Sequence, residues 1–170
     1  LEIKDLDLSK LSCSKQAILR ILNKLKPTGD LNLNKIDLAQ LSLQDIALLE
    51  GDISVQSLFL KKTYIPPKAL MMILNKLTPS GTLDLSLVQL SQLKKSTIQL
   101  ITQTLRLKEL LLVDTNMKAA MVMTLLNKLR PSVSLKVDDQ ASNYFYVRPL
   151  LRATRKLVRR KDPNKKLKRN

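Results

Sequence analysis

Histidine and tryptophan are absent from this chain, cysteine occurs once, and glycine occurs three times in 170 residues. Each scarcity removes a kind of chemistry. Without histidine, Ser-His-Asp and Cys-His catalysis lack their base, and no metal site can use imidazole. One cysteine, Cys13, can close no intramolecular disulfide and no Cys₂ or Cys₄ zinc site. It reads as a small, partly buried residue. Three scattered glycines cannot furnish a phosphate-cradling loop, and neither G-x-x-x-x-G-K-[S/T] nor G-x-G-x-x-G occurs. Carboxylate pairs such as Asp5/Asp7 and Asp138/Asp139 have no base, metal or calcium-loop motif behind them and read as solvated faces. The expectation is a protein that is not an enzyme and holds no cofactor or metal.

Aromatic residues make up 3% of the chain while hydrophobic residues make up 44%, so the interior must be aliphatic, built from leucine and isoleucine. No apolar run approaches the roughly 20 residues needed to cross a bilayer. There is no signal-peptide pattern and no N-x-S/T acceptor. These absences favour an intracellular home, cytoplasmic or nuclear. The net charge is +16, unevenly spread. Residues 1–140 carry 19 basic and 13 acidic residues, whereas residues 141–170 carry 11 basic and one acidic. Body and tail therefore need separate explanations.

What the chain has in abundance is repetition. "ILNKL" at Ile21–Leu25 returns at Ile73–Leu77, and as "LLNKL" at Leu125–Leu129; Pro27, Pro79 and Pro131 follow at the same distance. The spacing is 52 residues each time, which is the mark of a stacked array. Short alternations begin at Leu6, Leu31, Leu58, Leu83, Leu110 and Leu135. Period two over a few residues predicts a strand with one buried face. Between them the period becomes helical. Ile18, Ile21, Leu22 and Leu25 form an i, i+3, i+4, i+7 stripe, repeated at Leu70–Leu77 and at Val122–Leu129. Proline shortly after the stripe cannot continue a helix, so "LNKLxP" is expected to end one in every copy. Gly29 and Gly81 then permit a turn into the next strand. Leu41–Glu50 and Leu93–Leu105 also look helical, with different sequences. Asn23, Asn75 and Asn127 sit just off the stripe, as caps, as bridges to a neighbouring turn, or as ligand contacts. The predicted fold class is α/β, about six strand–helix modules sharing one core; an all-helical repeat is the competing architecture.

"LKELLLVDT" (Leu107–Thr115) and "VQSLFLKKT" (Val55–Thr63) resemble the leucine-rich repeat consensus L-x-x-L-x-L-x-x-N, and "IKDLDLSKL" (Ile3–Leu11) keeps its spacing. Thr63, Thr115 and Leu11 stand where asparagine or cysteine is usual. The alternation of two module types is similar to the ribonuclease-inhibitor-like class, found also at the sensing end of NOD-like receptors. The resemblance covers residues 1–140. It implies a leucine-rich repeat solenoid, a curved parallel sheet with outer helices, whose concave side displays the residues between the strand leucines. Those singled out for protein binding are Asp5, Asp7, Asp30, Asn32, Phe59, Lys61, Asp84, Glu109, Leu111 and Val113. Phe59, Leu111 and Val113 supply apolar anchors with a polar surround, the composition of a protein-binding patch.

The ends read differently. The sequence opens at Leu1 inside a strand pattern with no capping element before it, so it is expected to belong to a longer chain or assembly. At the other end, Tyr144, Phe145 and Tyr146 are expected to cover the last module, with stacking on nucleobases as the alternative. A basic amphipathic helix is expected to follow within 141–162, and a disordered basic tail over 163–170. Arg148, Arg152, Arg155, Lys156, Arg159, Arg160, Lys161, Lys165 and Lys166 are its candidate contacts to phosphate or an anionic surface. Three roles fit: a solvated tail or localisation signal, binding to RNA or DNA, or attraction to anionic lipid or an acidic protein. The leading expectation is a protein-interaction scaffold with the tail as a second contact. The alternatives are a nucleic-acid-associated protein and the sensing part of a larger receptor.

Overall fold

The computed structural model describes residues 3–137. Strands and helices alternate along them: β1 (Leu6–Asp7), α1 (Lys15–Leu25), β2 (Asp30–Asn32), α2 (Leu43–Ala47), β3 (Ile53–Val55), β4 (Ser57–Phe59), α3 (Pro67–Ile73), β5 (Leu77–Pro79), β6 (Thr82–Asp84), α4 (Lys95–Ile98), β7 (Leu105–Leu112), α5 (Ala119–Leu126) and β8 (Leu129–Val137). Six strands form one sheet in the order β1-β2-β4-β6-β7-β8, with every neighbouring pair parallel. The sheet is open, not closed into a barrel. β3 and β5 make a separate parallel pair.

The register follows the leucines. Leu6 pairs with Leu31, Leu31 with Leu58, Leu58 with Leu83, Leu83 with Leu110 and Leu110 with Leu135. Two residues on, Leu8, Leu33, Leu60, Leu85 and Leu112 are each at most 2% exposed. A slip of one residue would turn both rows to water, so the aliphatic pattern sets the pairing. Behind the sheet, Ile18 and Leu22 of α1, Leu70 and Ile73 of α3, and Val122 and Leu125 of α5 complete the core. The two short helices contribute Ile46 and Ile98. Their segments share little sequence, yet their buried positions recur at 52 residues: Ile36 and Val88, Leu38 and Leu90, Leu41 and Leu93, Leu49 and Ile101. Burial repeats where identity does not. Cys13 falls in the place of Ile65 and is half-buried beside the core.

The repeated pentapeptide does not repeat its conformation. Ile21–Leu25 is wholly helical and α1 ends on Lys26, in the left-handed region at φ 41°. In the second copy α3 stops at Ile73 and Leu77 opens β5; in the third, α5 stops at Leu126 and Leu129 opens β8. A helix ends at the motif in every copy, but the helical stripe expected to reach Leu77 and Leu129 is corrected, since both residues are strand. Local propensity is the same in all, so the neighbour decides. Ile53 lies beside Leu77, and Leu105 beside Leu129, and each offers a strand to pair with.

The glycines also act otherwise than expected. Gly29 and Gly81 lack positive φ; only Gly51, at φ 77°, has it. What Gly29 and Gly81 provide is space. A Cβ at Gly81 would lie 2.6 Å from the Gln56 carbonyl oxygen, and one at Gly29 would lie 2.8 Å from the Lys4 carbonyl oxygen. Val133 occupies the third copy of this position, and there β8 runs unbroken for nine residues. Left-handed geometry falls instead on Lys35, Lys62, Leu87 and Asp114, each four residues after a ladder leucine. Such residues cost about 1–2 kcal/mol when not glycine, and with Lys26 and Asn116 the described residues include six of them.

Side chains tie successive modules together. The Asn23 amide nitrogen donates to the Leu48 carbonyl at 2.7 Å, and its oxygen accepts from the Glu50 N–H at 2.9 Å. Asn75 repeats this clamp with the Leu100 carbonyl at 2.8 Å and the Thr102 N–H at 2.9 Å. Both are bridges to a neighbouring turn. Asn75→Ala is expected to destabilise the fold by about 1–3 kcal/mol, because two polar backbone groups lose their partner; urea unfolding measures it, and an unchanged midpoint would refute the role.

A second tie joins α1 to α2. Lys15 Nζ meets Asp45 Oδ2 at 2.8 Å and also donates to the Gln40 carbonyl. Asp45 completes a capping box with Ser42. Hydrogen bonds from Lys15 and then Ser42 hold the Asp45 carboxyl down at about 2, from an ordinary 3.8. A depressed carboxyl contributes stability that is fully present above its unfolded value and lost on protonation. Acid should therefore weaken the fold between pH 3.8 and about 2. In Asp45→Asn that part of the decline should be missing and the neutral-pH stability lower. Denaturant midpoints across this window measure both.

Candidate protein-binding face

Opposite the leucines, the sheet presents its other side. Its central row is fully in register: Asp7, Asn32, Phe59, Asp84, Leu111 and Lys136, one from each strand. Neighbours in such a row lie about 4.8 Å apart. A flanking row holds Asp30 beside Ser57, and Thr82 beside Glu109 beside Ser134. The strand pairing thus brings Asp7, Asp30, Asn32, Phe59, Asp84, Glu109 and Leu111 onto one surface, while Asp5, Lys61 and Val113 lie just beyond the paired strands.

Their environments differ from a plain exposed face. Asp7, Asn32 and Asp84 each accept the N–H of the residue two further on, from Ser9 at 2.8 Å, Asn34 at 3.1 Å and Ser86 at 2.9 Å. This is the turn-forming habit of Asp and Asn, and it closes the end of each strand. Hydrogen bonds from Ser9, side chain and backbone, hold the Asp7 carboxyl below its usual range. Asp5 accepts the Asp30 N–H at 2.8 Å, and Asn34 accepts the Lys61 N–H at 2.7 Å. Glu109 takes the hydroxyls of Thr82 at 3.2 Å and Ser134 at 3.0 Å. Asp84 is not the exposed contact that alternation predicts: it is 8% exposed, set between Phe59 and Leu111.

The apolar members have no such internal task. Phe59, Leu111 and Val113 are half-buried on this face, while Lys61 and Lys136 stand exposed at its margin. Asp5, Asp7 and Asp30 remain exposed at the β1–β2 end. What the sequence alone did not reveal is that its polar residues are mostly committed to the backbone. The Asp/Asn-x-Ser/Asn spacing at Asp7–Ser9, Asn32–Asn34 and Asp84–Ser86 was the available signal. Thr63 and Thr115, at the atypical consensus position, are 2% exposed and donate to the carbonyls of Leu33 at 2.8 Å and Leu112 at 3.2 Å.

Among the described residues no group of histidine, cysteine, aspartate or glutamate could hold a metal ion. No helix among them is long and apolar enough to cross a membrane. The candidate contacts from Arg148 to Lys166, the aromatic trio at Tyr144–Tyr146 and Asp138 lie outside the described residues. The chain matches no family model, no curated protein and no solved structure. Its class is thus defined by its own geometry, a mixed α/β protein with an open, parallel six-stranded sheet.

Because Asn32 makes the same turn bond as Asp84, Asp84→Asn should leave stability within about 0.5 kcal/mol, whereas Asp84→Ala should cost about 1–3 kcal/mol by orphaning the Ser86 N–H. Thermal or urea unfolding of the pair separates a turn-closing residue from a purely electrostatic one.

Proposed function

We propose that this chain is a leucine-rich repeat solenoid, not an enzyme, and that it binds another protein through the sheet face opposite its leucine ladder. The observation that carries the reading is the pair Phe59 and Leu111. They stand in one in-register row, separated only by Asp84, and neither is needed to fill the core. The polar groups around them are satisfied from within, so little desolvation is left to oppose a partner that covers the two side chains. Half-buried apolar anchors in a hydrogen-bonded surround have the anatomy of an interaction patch. The regular 25- and 27-residue spacing of the ladder leucines supports the solenoid part. Stacked modules of this kind present an extended surface made from many short strands. The basic stretch from Arg148 to Lys166 is a second contact in the same reading.

Affinity capture with the intact chain, followed by titration of the captured protein, tests this. Phe59→Asp and Leu111→Asp should each weaken binding by roughly tenfold or more, as buried interface anchors do. Removal of residues 148–170 should leave that affinity largely in place. An interaction that survives both substitutions, with melting temperature and circular dichroism unchanged, would refute the assignment.

A further inference from the structure

A different surface carries an independent inference. Where β3 pairs with β5, Ser54 stands beside Thr78 with their hydroxyls 3.3 Å apart. The first halves of β7 and β8 repeat that pairing 52 positions later, and there Arg106 stands beside Arg130. Both arginines are exposed, as is Lys108 two residues along β7. Neighbouring parallel strands are about 4.8 Å apart, so two cationic stems are held side by side. Like charges in that position repel and cost stability. The ion pairs among the described residues are Lys15 with Asp45 and Lys76 with Asp52, and neither relieves the two arginines.

The surroundings point to what would. The outward positions along β3, β5 and the first halves of β7 and β8 are Ser54, Thr78, Arg106, Lys108, Arg130 and Ser132, while Glu109, the next residue of β7, is held by the hydroxyls of Thr82 and Ser134. An open depression of about 330 Å³ adjoins Lys108, and Thr28, Ser54, Gln56 and Ser80 give it a polar lining. β5 packs against β7, and Ser54 and Lys108 line the same depression, which brings the two strand pairs onto one surface. A guanidinium fork matches a phosphate, and hydroxyls donate to phosphate oxygens.

We propose that this strip binds the phosphodiester backbone of a single-stranded nucleic acid. Donors spread over two strand pairs suit a polymer that presents phosphates in succession, where a lipid offers one headgroup. No aromatic side chain stands on the strip to stack a base, so binding is indifferent to sequence. The strip ends on β8, the strand that leads toward residues 141–170 with their 11 basic residues and one acidic residue.

The test uses the full chain and a short fluorescent oligouridine, with anisotropy read from about 50 to 200 mM salt. For single strands the slope of log affinity against log salt changes by about 0.7 per phosphate contact. Arg106→Gln/Arg130→Gln should therefore flatten it by about 1.4. The melting temperature of this variant at low salt should equal or exceed that of the parent, because a repulsion has been removed. Phe59→Asp should leave the oligonucleotide affinity unchanged, which keeps this surface distinct from the protein-binding face. The proposal is overturned by no binding, by an unchanged slope in the double variant, by a lowered melting temperature, by equal competition from polyglutamate, or by preference for phosphatidylserine vesicles.

Discussion

Every other feature of this molecule depends on the in-register leucine ladder from Leu6 to Leu135. Each strand alone is too short to be stable, and β1 has only two residues. Stability comes from stacking identical aliphatic side chains in neighbouring strands and covering them with helices. The hydrophobic contribution is about 25 cal/mol per Å² of apolar surface removed from water. Because aliphatic groups of similar volume interchange at small cost, Leu can give way to Ile or Met, and to the smaller Val where neighbours fill the space, without loss of the stack. This is visible at Leu22, Leu74 and Leu126, which are conserved in kind, and at Ile18, Leu70 and Val122, which are not.

The ladder creates a polar problem that the side chains solve. Short strands leave many backbone groups at their ends, and buried ones must be paired. Asp7, Asn32 and Asp84 accept N–H groups at strand ends, Thr63 and Thr115 donate to carbonyls, and Asn23 and Asn75 bridge one module to the next. The same residue types on an exposed sheet face look like recognition residues when read one at a time. Their geometry shows most of them to be turn and module connectors. Phe59 and Leu111 stand out only after this subtraction.

Charge is distributed by the same logic. The repeat places equivalent residues side by side, so a substitution in one copy meets its neighbour across about 4.8 Å. At one such position two hydroxyls face each other, Ser54 and Thr78; 52 residues later the pair is Arg106 and Arg130. A stacked fold therefore turns small differences between copies into local patches of hydroxyl, acid or cation.

The leucine spacing and the helical stripes are linear properties; they predicted the alternation of strands and helices, and the resemblance noted in the sequence implied that the strands would be parallel. Short-range periodicity reports which side of a strand or helix is apolar, and in a stack that is nearly the whole pairing rule. Three things lay beyond it. "ILNKL" is helix in one copy and helix, turn and strand in two, because a neighbouring strand was there to pair with. Gly29 and Gly81 look like turn formers but act by leaving room for the carbonyls of Lys4 and Gln56. Arg106 and Arg130 lie 24 residues apart in the chain and side by side in the sheet. The sequence by itself determined which aliphatic residues are buried; the tertiary structure decided which polar residues are covered and which exposed ones meet, since that depends on contacts between modules that no local pattern encodes.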